Sequence, residues 1–176
     1  MQRHLFRFGL FSAAMLTLSL AIIPRTPRAA EPPKNKDPAL ARTRRQVQML
    51  DDLYKTAVVL ITEHYVDDVS DTAAGEIARD LFAAMYKKGW HEAHLVDATG
   101  KPVNAQNAPR DAFERKAIEQ LKKGESFYEE VGDNGGQRVL RAATPVPVVM
   151  KKCTICHPGF KEGDLLGAIS YKLSVQ

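Results

Sequence analysis

Apolar residues recur every three or four positions through the first long stretch of this chain. From Pro38 to Tyr65 no further proline or glycine interrupts the spacing, and Asp37 stands where a helix N-cap is expected. The spacing therefore predicts a long amphipathic helix over residues 38–65. Its expected inner face comprises Val47, Leu50, Tyr54, Ala57, Ile61 and His64.

A second helix is predicted from Thr72 to Lys88. Two lysines precede Gly89 there, and cations followed by glycine are typical of a helix C-terminus. Its expected inner face comprises Ala74, Ile77, Leu81 and Met85.

After Gly89 the apolar positions alternate, which is the period of β-strands, and a third helix at residues 111–123 interrupts them. Pro145 and Pro147 suit an edge or a bulge rather than a central ladder. The predicted strands cover residues 92–97, 101–103, 126–131, 137–150 and 165–175. The order predicts an α+β fold with an antiparallel sheet packed with helices and preceded by a long N-terminal helix, and it is compatible with a PAS-like fold.

The candidate chemistry lies in Cys153-Thr154-Ile155-Cys156-His157, which holds the only two cysteines of the chain. C-x-x-C-H is typical of c-type haem attachment. Two thiols on one turn can each form a thioether with a haem vinyl group. His157 can then bind the iron as the proximal axial ligand. This motif predicts one covalently attached haem c.

Three other interpretations of the two cysteines are open. A zinc site would need two further ligands, and only His157 is nearby. A thioredoxin-type redox pair normally opens a helix, whereas Pro158 and Gly159 follow this motif. A disulfide between the two cysteines would close a tight and strained ring.

The N-terminus favours attachment outside the cytoplasm, where haem is joined to such motifs. Arg3 and Arg7 precede an apolar run from Gly9 to Ile23, and Ala29-Ala30 supplies small residues for cleavage. We expect a signal peptide at residues 1–30, a spacer at 31–37 and one haem domain at 38–176. The protein is then exported or periplasmic; the alternative is a retained N-terminal membrane anchor.

Charge excludes two classes of partner for the processed chain. Residues 1–30 hold four of the 25 basic residues and none of the 21 acidic ones, so their removal leaves 21 of each sign. Nucleic-acid binding needs a basic surface, and none is expected here. No strong membrane binding is expected after signal removal either.

Further motifs surround the cysteines: Asn104-Ala105-Gln106-Asn107-Ala108-Pro109 with Phe113-Glu114, residues 141–145, and Gly163-Asp164-x-x-Gly167-Ala168-Ile169-Ser170. With them the chain resembles, over residues 92–175, a family of PAS-like single-haem c-type domains once catalogued as a domain of unknown function. Its members are exported cytochromes and haem sensor regions of signalling proteins. The resemblance implies the same fold and cofactor.

The chain departs from the family at two places, and the second leaves the sixth iron ligand open. Pro158 stands where the family usually has glycine. Some members use a cysteine from an N-terminal helix as the other axial ligand, and this chain has no third cysteine. We expect His64 as the distal ligand, since it shares the expected inner face of the first helix, with Met85 as the rival.

The expected function is electron transfer or redox sensing through the haem, with a redox partner that the sequence does not identify. The alternative is a gas- or ligand-sensing haem module with an open sixth site that works through a separate partner. A haem enzyme would need a distal acid–base group from His64, His91 or His94. We expect no enzymatic activity.

Overall fold

The computed structural model describes residues 37–68 and 71–176, so the expected signal peptide and nearly all of the spacer lie outside the described residues. Within the described part, no helix is both long and apolar enough to cross a membrane. The elements, in chain order, are α1 Pro38–Tyr65, α2 Ala74–Lys87, β1 Glu92–Asp97, a 3-10 turn Ala105–Asn107, α3 Ala112–Lys122, β2 Tyr128–Asn134, β3 Gln137–Pro147, α4 Cys153–Cys156 and β4 Leu165–Ser174.

The four strands form one antiparallel sheet in the order β1-β4-β3-β2, which confirms the α+β, PAS-like prediction. The strand expected at residues 101–103 does not form, and these residues belong to a loop after β1. Pro145 and Pro147 lie beyond Ala143, where the pairing of β3 with β2 ends. A register shift falls between Val146 and Pro147, so these prolines occupy an edge and a bulge as predicted.

Helix α1 has the predicted bounds but not the predicted inner face at its C-terminal end. The Asp37 carboxylate accepts a hydrogen bond from the Leu40 amide at 3.0 Å and caps the helix. His64 is exposed, so its expected place on the buried face was wrong. A face traced by steps of three and four drifts by about 20° per seven residues on a straight helix. Thr62, four residues after Val58, takes the buried position in place of His64.

The inner face of α2 is also shifted relative to the prediction. Ala74, Ala78 and Phe82 are buried, whereas Ile77 and Leu81 are exposed and Met85 is half-buried. The Phe82 ring packs edge-on against Tyr54 of α1, with centroids 4.8 Å apart. Burying this large aromatic pair sets the rotation of α2, because an aromatic ring offers more apolar area than Ile77 or Leu81.

The sheet carries a separate core on each face. Successive residues of β4 alternate between the two, as the pleat requires: Ile169 and Tyr171 join α1 and α2, whereas Ala168 joins α3. Helices therefore cover both faces, with α1 and α2 on one and α3 on the other.

A buried polar group connects α3 to the loop that follows β1. His94 of β1 places Nδ1 at 2.9 Å from Glu114 Oε1 and Nε2 at 2.9 Å from the Gln106 carbonyl oxygen. Glu114 also accepts from the Arg110 amide at 2.7 Å. Burial alone would raise the pKa of Glu114, but these hydrogen bonds outweigh it and lower the pKa below 4.5.

We expect this lowered pKa to make stability fall in acid. Ionised Glu114 stabilises the fold above about pH 4.5, and the contribution is lost as the pH falls through the lower folded-state pKa. Glu114→Gln should cost about 1–3 kcal/mol at neutral pH and should reduce the acid-induced loss. Urea unfolding over a pH series measures both quantities. Equal pH dependence in the two proteins would contradict this role for Glu114.

Candidate functional site

An apolar cavity of about 630 Å³ opens between α1, the start of α2, the β1–β4 side of the sheet and the loop at residues 151–164. This volume lies within the range of about 300–1,000 Å³ that small-molecule and cofactor sites occupy. The α1 wall is mainly aliphatic. It consists of Lys55, Val58, Val59 and Thr62, with Val66 just after the helix.

The structure brings the three predicted site residues together at this cavity. Cys153, Cys156 and His157 all line it, and both thiols are free. The cysteines begin and end the single turn of α4, three positions apart, so they lie on the same side of that turn. The His157 amide donates to the Cys153 carbonyl oxygen at 3.1 Å, which places the imidazole directly after the turn.

The base of the cysteine loop is closed by a pair of backbone hydrogen bonds. The Gly163 amide donates to the Val148 carbonyl oxygen at 2.9 Å, and the Val148 amide donates to the Asp164 carbonyl oxygen at 2.9 Å. Gly163 has a φ of +90°, which favours glycine. The Asp164 carboxylate accepts from the Lys161 amide at 2.9 Å. The Gly163-Asp164 motif thus has a structural reason, since it fixes the end of the loop.

A side chain fixes the beginning of the same loop to the end of α1. Lys152 Nζ donates to the Glu63 carbonyl oxygen at 2.8 Å and to Asp67 Oδ1 at 2.8 Å. A cation at the last carbonyl groups of a helix is favourable. The cysteine turn is therefore held both to the sheet and to α1.

The electrostatics of His157 favour an imidazole that can bind a metal. Burial lowers the pKa of His157, and the Asp97 carboxylate partly opposes that shift. The lowered pKa keeps the ring neutral at pH 7, and neutral imidazole is the form that ligates metal ions.

Asn107 supplies an unpaired polar atom at the cavity. Its Oδ1 is buried and has no hydrogen-bond partner among the described residues, and Asn107 lines the cavity. Asn104 is different, because its Oδ1 accepts from the Gln106 amide and its Nδ2 donates to Glu76 Oε1. Asn104 therefore stabilises the loop by accepting from the loop's own backbone, as asparagine commonly does in turns. A buried amide oxygen without a partner is costly, and a polar group of a bound molecule would satisfy it.

The charged residues of the cavity are mostly basic. Lys55, Lys101 and Lys152 line it, against one carboxylate, that of Asp97. Lys55 is already paired with Asp51 at 2.8 Å and Lys152 with Asp67. A large apolar molecule with carboxylate groups at its edge, such as haem with its two propionates, matches this combination of walls and charges.

No residue expected as a distal ligand lines the cavity. His64 and Met85 lie outside it, and so do His91 and His94. The ring nitrogens of His91 and His94 have other neighbours: His91 Nε2 lies 2.7 Å from the Tyr54 hydroxyl, and His94 contacts Glu114. Among the described residues that line the cavity, His157 is the only histidine and there is no methionine.

Sequence reasoning missed most of the cavity wall. Val58 and Val59 of α1 were not expected at the cavity, because the buried face near the C-terminal end of α1 is rotated from the expected one. Trp90 and Tyr86, two large aromatic residues, are 74% and 62% exposed and do not line the cavity. The zinc interpretation gains no support, since within the described residues no group of three or more His, Cys, Asp or Glu side chains is arranged to hold a metal ion.

Comparisons with known proteins agree with this architecture. The Tll0287-like family matches residues 36–174. A solved structure described as the cyanobacterial heme-protein Tll0287 superposes with a TM-score of 0.52 at 15% identity, covering 77% of this chain and 94% of that one. No curated protein matches. The sequence resemblance to PAS-like single-haem domains is thereby confirmed.

Gly167 offers a test of the packing that supports the cavity. A Cβ atom there would lie 2.3 Å from the Val96 carbonyl oxygen of β1, so β1 and β4 could not pair at their present distance. We expect Gly167→Ala to destabilise the protein by about 1–3 kcal/mol. Thermal unfolding of the haem-loaded protein provides the measurement.

Gly132 of β2 is the matched control, since a Cβ atom there meets nothing within 4 Å. Gly132→Ala should change stability by less than about 1 kcal/mol. Equal effects of the two substitutions would show that Gly167 is not constrained by Val96.

Proposed function

We propose that this chain, which belongs to the Tll0287-like family, is an exported c-type haem protein that acts in electron transfer or redox sensing. The observation that carries the proposal is the convergence of Cys153, Cys156 and His157 on one apolar cavity of cofactor size. The related cyanobacterial structure, described as that of a heme-protein, supports the same cofactor.

The residues of the cavity fit a haem. Cys153 and Cys156 would hold it through two thioether bonds, and His157 would bind the iron with a neutral nitrogen. The aliphatic side chains of α1 would exclude water from the ring, and the lysines at the cavity suit its propionates. When bound, the haem supplies a one-electron redox centre, whose potential depends on the axial ligands and on burial.

The alternative, a gas- or ligand-sensing module, gains support from the walls of the cavity. Apart from His157, Cys153 and Cys156, the described lining residues include no histidine, cysteine or methionine, the usual axial ligands of a haem iron. The α1 wall presents Val58, Val59 and Thr62 instead. This arrangement favours an open or weakly held sixth site, which a small exogenous ligand could occupy.

An enzymatic role has less support. A peroxidase-type site needs an acid–base group beside an open iron. His64, His91 and His94 were the candidates, and all three lie off the cavity. We therefore favour a non-enzymatic function.

Covalent attachment and export can be tested in one experiment. The protein is expressed with a cytochrome c maturation system, recovered from the exported fraction and weighed intact under denaturing conditions. The expected mass is that of the chain without residues 1–29 or 1–30 plus one haem. A Cys153→Ala/Cys156→Ala double variant should lose the haem mass entirely. Loss of haem from the denatured wild type would refute the c-type assignment, and an intact N-terminus would indicate a membrane anchor.

The sixth site is tested by spectroscopy. The ligand-sensing alternative predicts a high-spin haem that binds CO, whereas electron transfer predicts a low-spin, six-coordinate haem. In either case neither His64→Ala nor Met85→Ala should change the spectrum, because both side chains lie outside the cavity. A change from low spin to high spin in His64→Ala alone would establish His64 as the distal ligand. It would also favour electron transfer over ligand sensing.

A further inference from the structure

The side of α1 that faces away from the sheet carries exposed apolar residues. Met49, Leu53 and Leu60 are 63%, 59% and 47% exposed. Thr56 between them is exposed as well. We call Met49, Leu53, Thr56 and Leu60 the outer stripe. It contains no residue of the cavity wall, which lies on another side of the helix.

The spacing of the outer stripe suits a second helix. Its residues follow one another by four, three and four positions, which is the a/d pattern of a two-helix coiled coil. Chains that expose contiguous large apolar side chains usually cover them with a partner.

The charges beside the stripe select the orientation of that partner. Arg45 lies toward the N-terminal end and Glu63 toward the C-terminal end, and both are exposed. Neither forms an ion pair within the part of the chain that the structure describes, whereas the neighbouring Arg44 is paired with Glu129. A parallel second copy would place like charges together, and an antiparallel one would place Arg45 beside Glu63.

We propose that the outer stripe binds a second copy of this chain, with the two α1 helices antiparallel. The two-fold axis between them would cross the stripe at the level of residues 54 and 55 along the helix. The stripe is symmetric about that point. Met49 would face Leu60 of the partner subunit, and Leu53 would face Thr56 of the partner subunit. Each Arg45 would lie near Glu63 of the partner subunit. Such a self-complementary contact closes as a dimer, and both cavities stay outside it.

The first test is the oligomeric state of the mature, haem-loaded protein. Sedimentation equilibrium over a concentration series should show a monomer–dimer equilibrium. Leu53→Glu should raise the dimer dissociation constant by about 100-fold or more, because it places two carboxylates at the centre of the apolar contact. Val131→Glu, on the edge strand β2 and 44% exposed in the wild type, is the matched control and should leave the dimer unchanged. A wild-type protein that stays monomeric, or a dimer that Leu53→Glu does not weaken, overturns the proposal.

The second test examines the orientation and does not depend on a buried substitution. Arg45→Glu and Glu63→Arg should each weaken the dimer by about tenfold, because each turns both attractive pairs into repulsive ones. The double variant should restore wild-type affinity. In a parallel dimer the like charges would face each other in every variant, and no rescue would occur. Unchanged haem spectra and circular dichroism establish that the variants are folded, and absence of rescue refutes the antiparallel arrangement.

Discussion

Two backbone hydrogen bonds at Val148 fix the position of the loop that carries the candidate site. They join the end of the loop, at Gly163 and Asp164, to the residue that follows β3, and so they close the loop that carries both cysteines and His157. Lys152 anchors the beginning of that loop to α1. Because both ends are fixed, a single helical turn can present two thiols and an imidazole to one cavity.

The two cores place the cavity at the side of the sheet rather than at its centre. Tyr54, Phe82 and Tyr171 fill the middle of the α1–α2 face, while α3 closes the opposite face. What remains open is the β1 side, where Gly167 allows β1 and β4 to approach closely. The buried contact of His94 with Glu114 and the Gln106 carbonyl oxygen positions the 3-10 turn, and with it Asn107, at the cavity.

The inner side of helix α1 contacts the core along its middle and lines the cavity toward its C-terminal end, and another side carries the outer stripe. Val47 and Tyr54 belong to the core, and Val58 and Thr62 belong to the cavity wall. The outer stripe remains for a partner. A haem within the cavity and a second subunit on the outer stripe would therefore not compete for the same surface of the helix.

Local physics explains what the sequence determined by itself. Caps, glycines and apolar periods predicted α1, α3, the four strands that form and the order of the elements, because these depend on residues near one another in the chain. The two cysteines and His157 were equally local, since one turn contains them all. Only the tertiary structure decided the rotation of α2, which depends on the packing of Phe82 against Tyr54. On α1, the drift of a straight helix relative to steps of three and four brought His64 to the surface and placed Val58, Val59 and Thr62 at the cavity, because the buried face of a long helix is chosen by its neighbours as well as by its period.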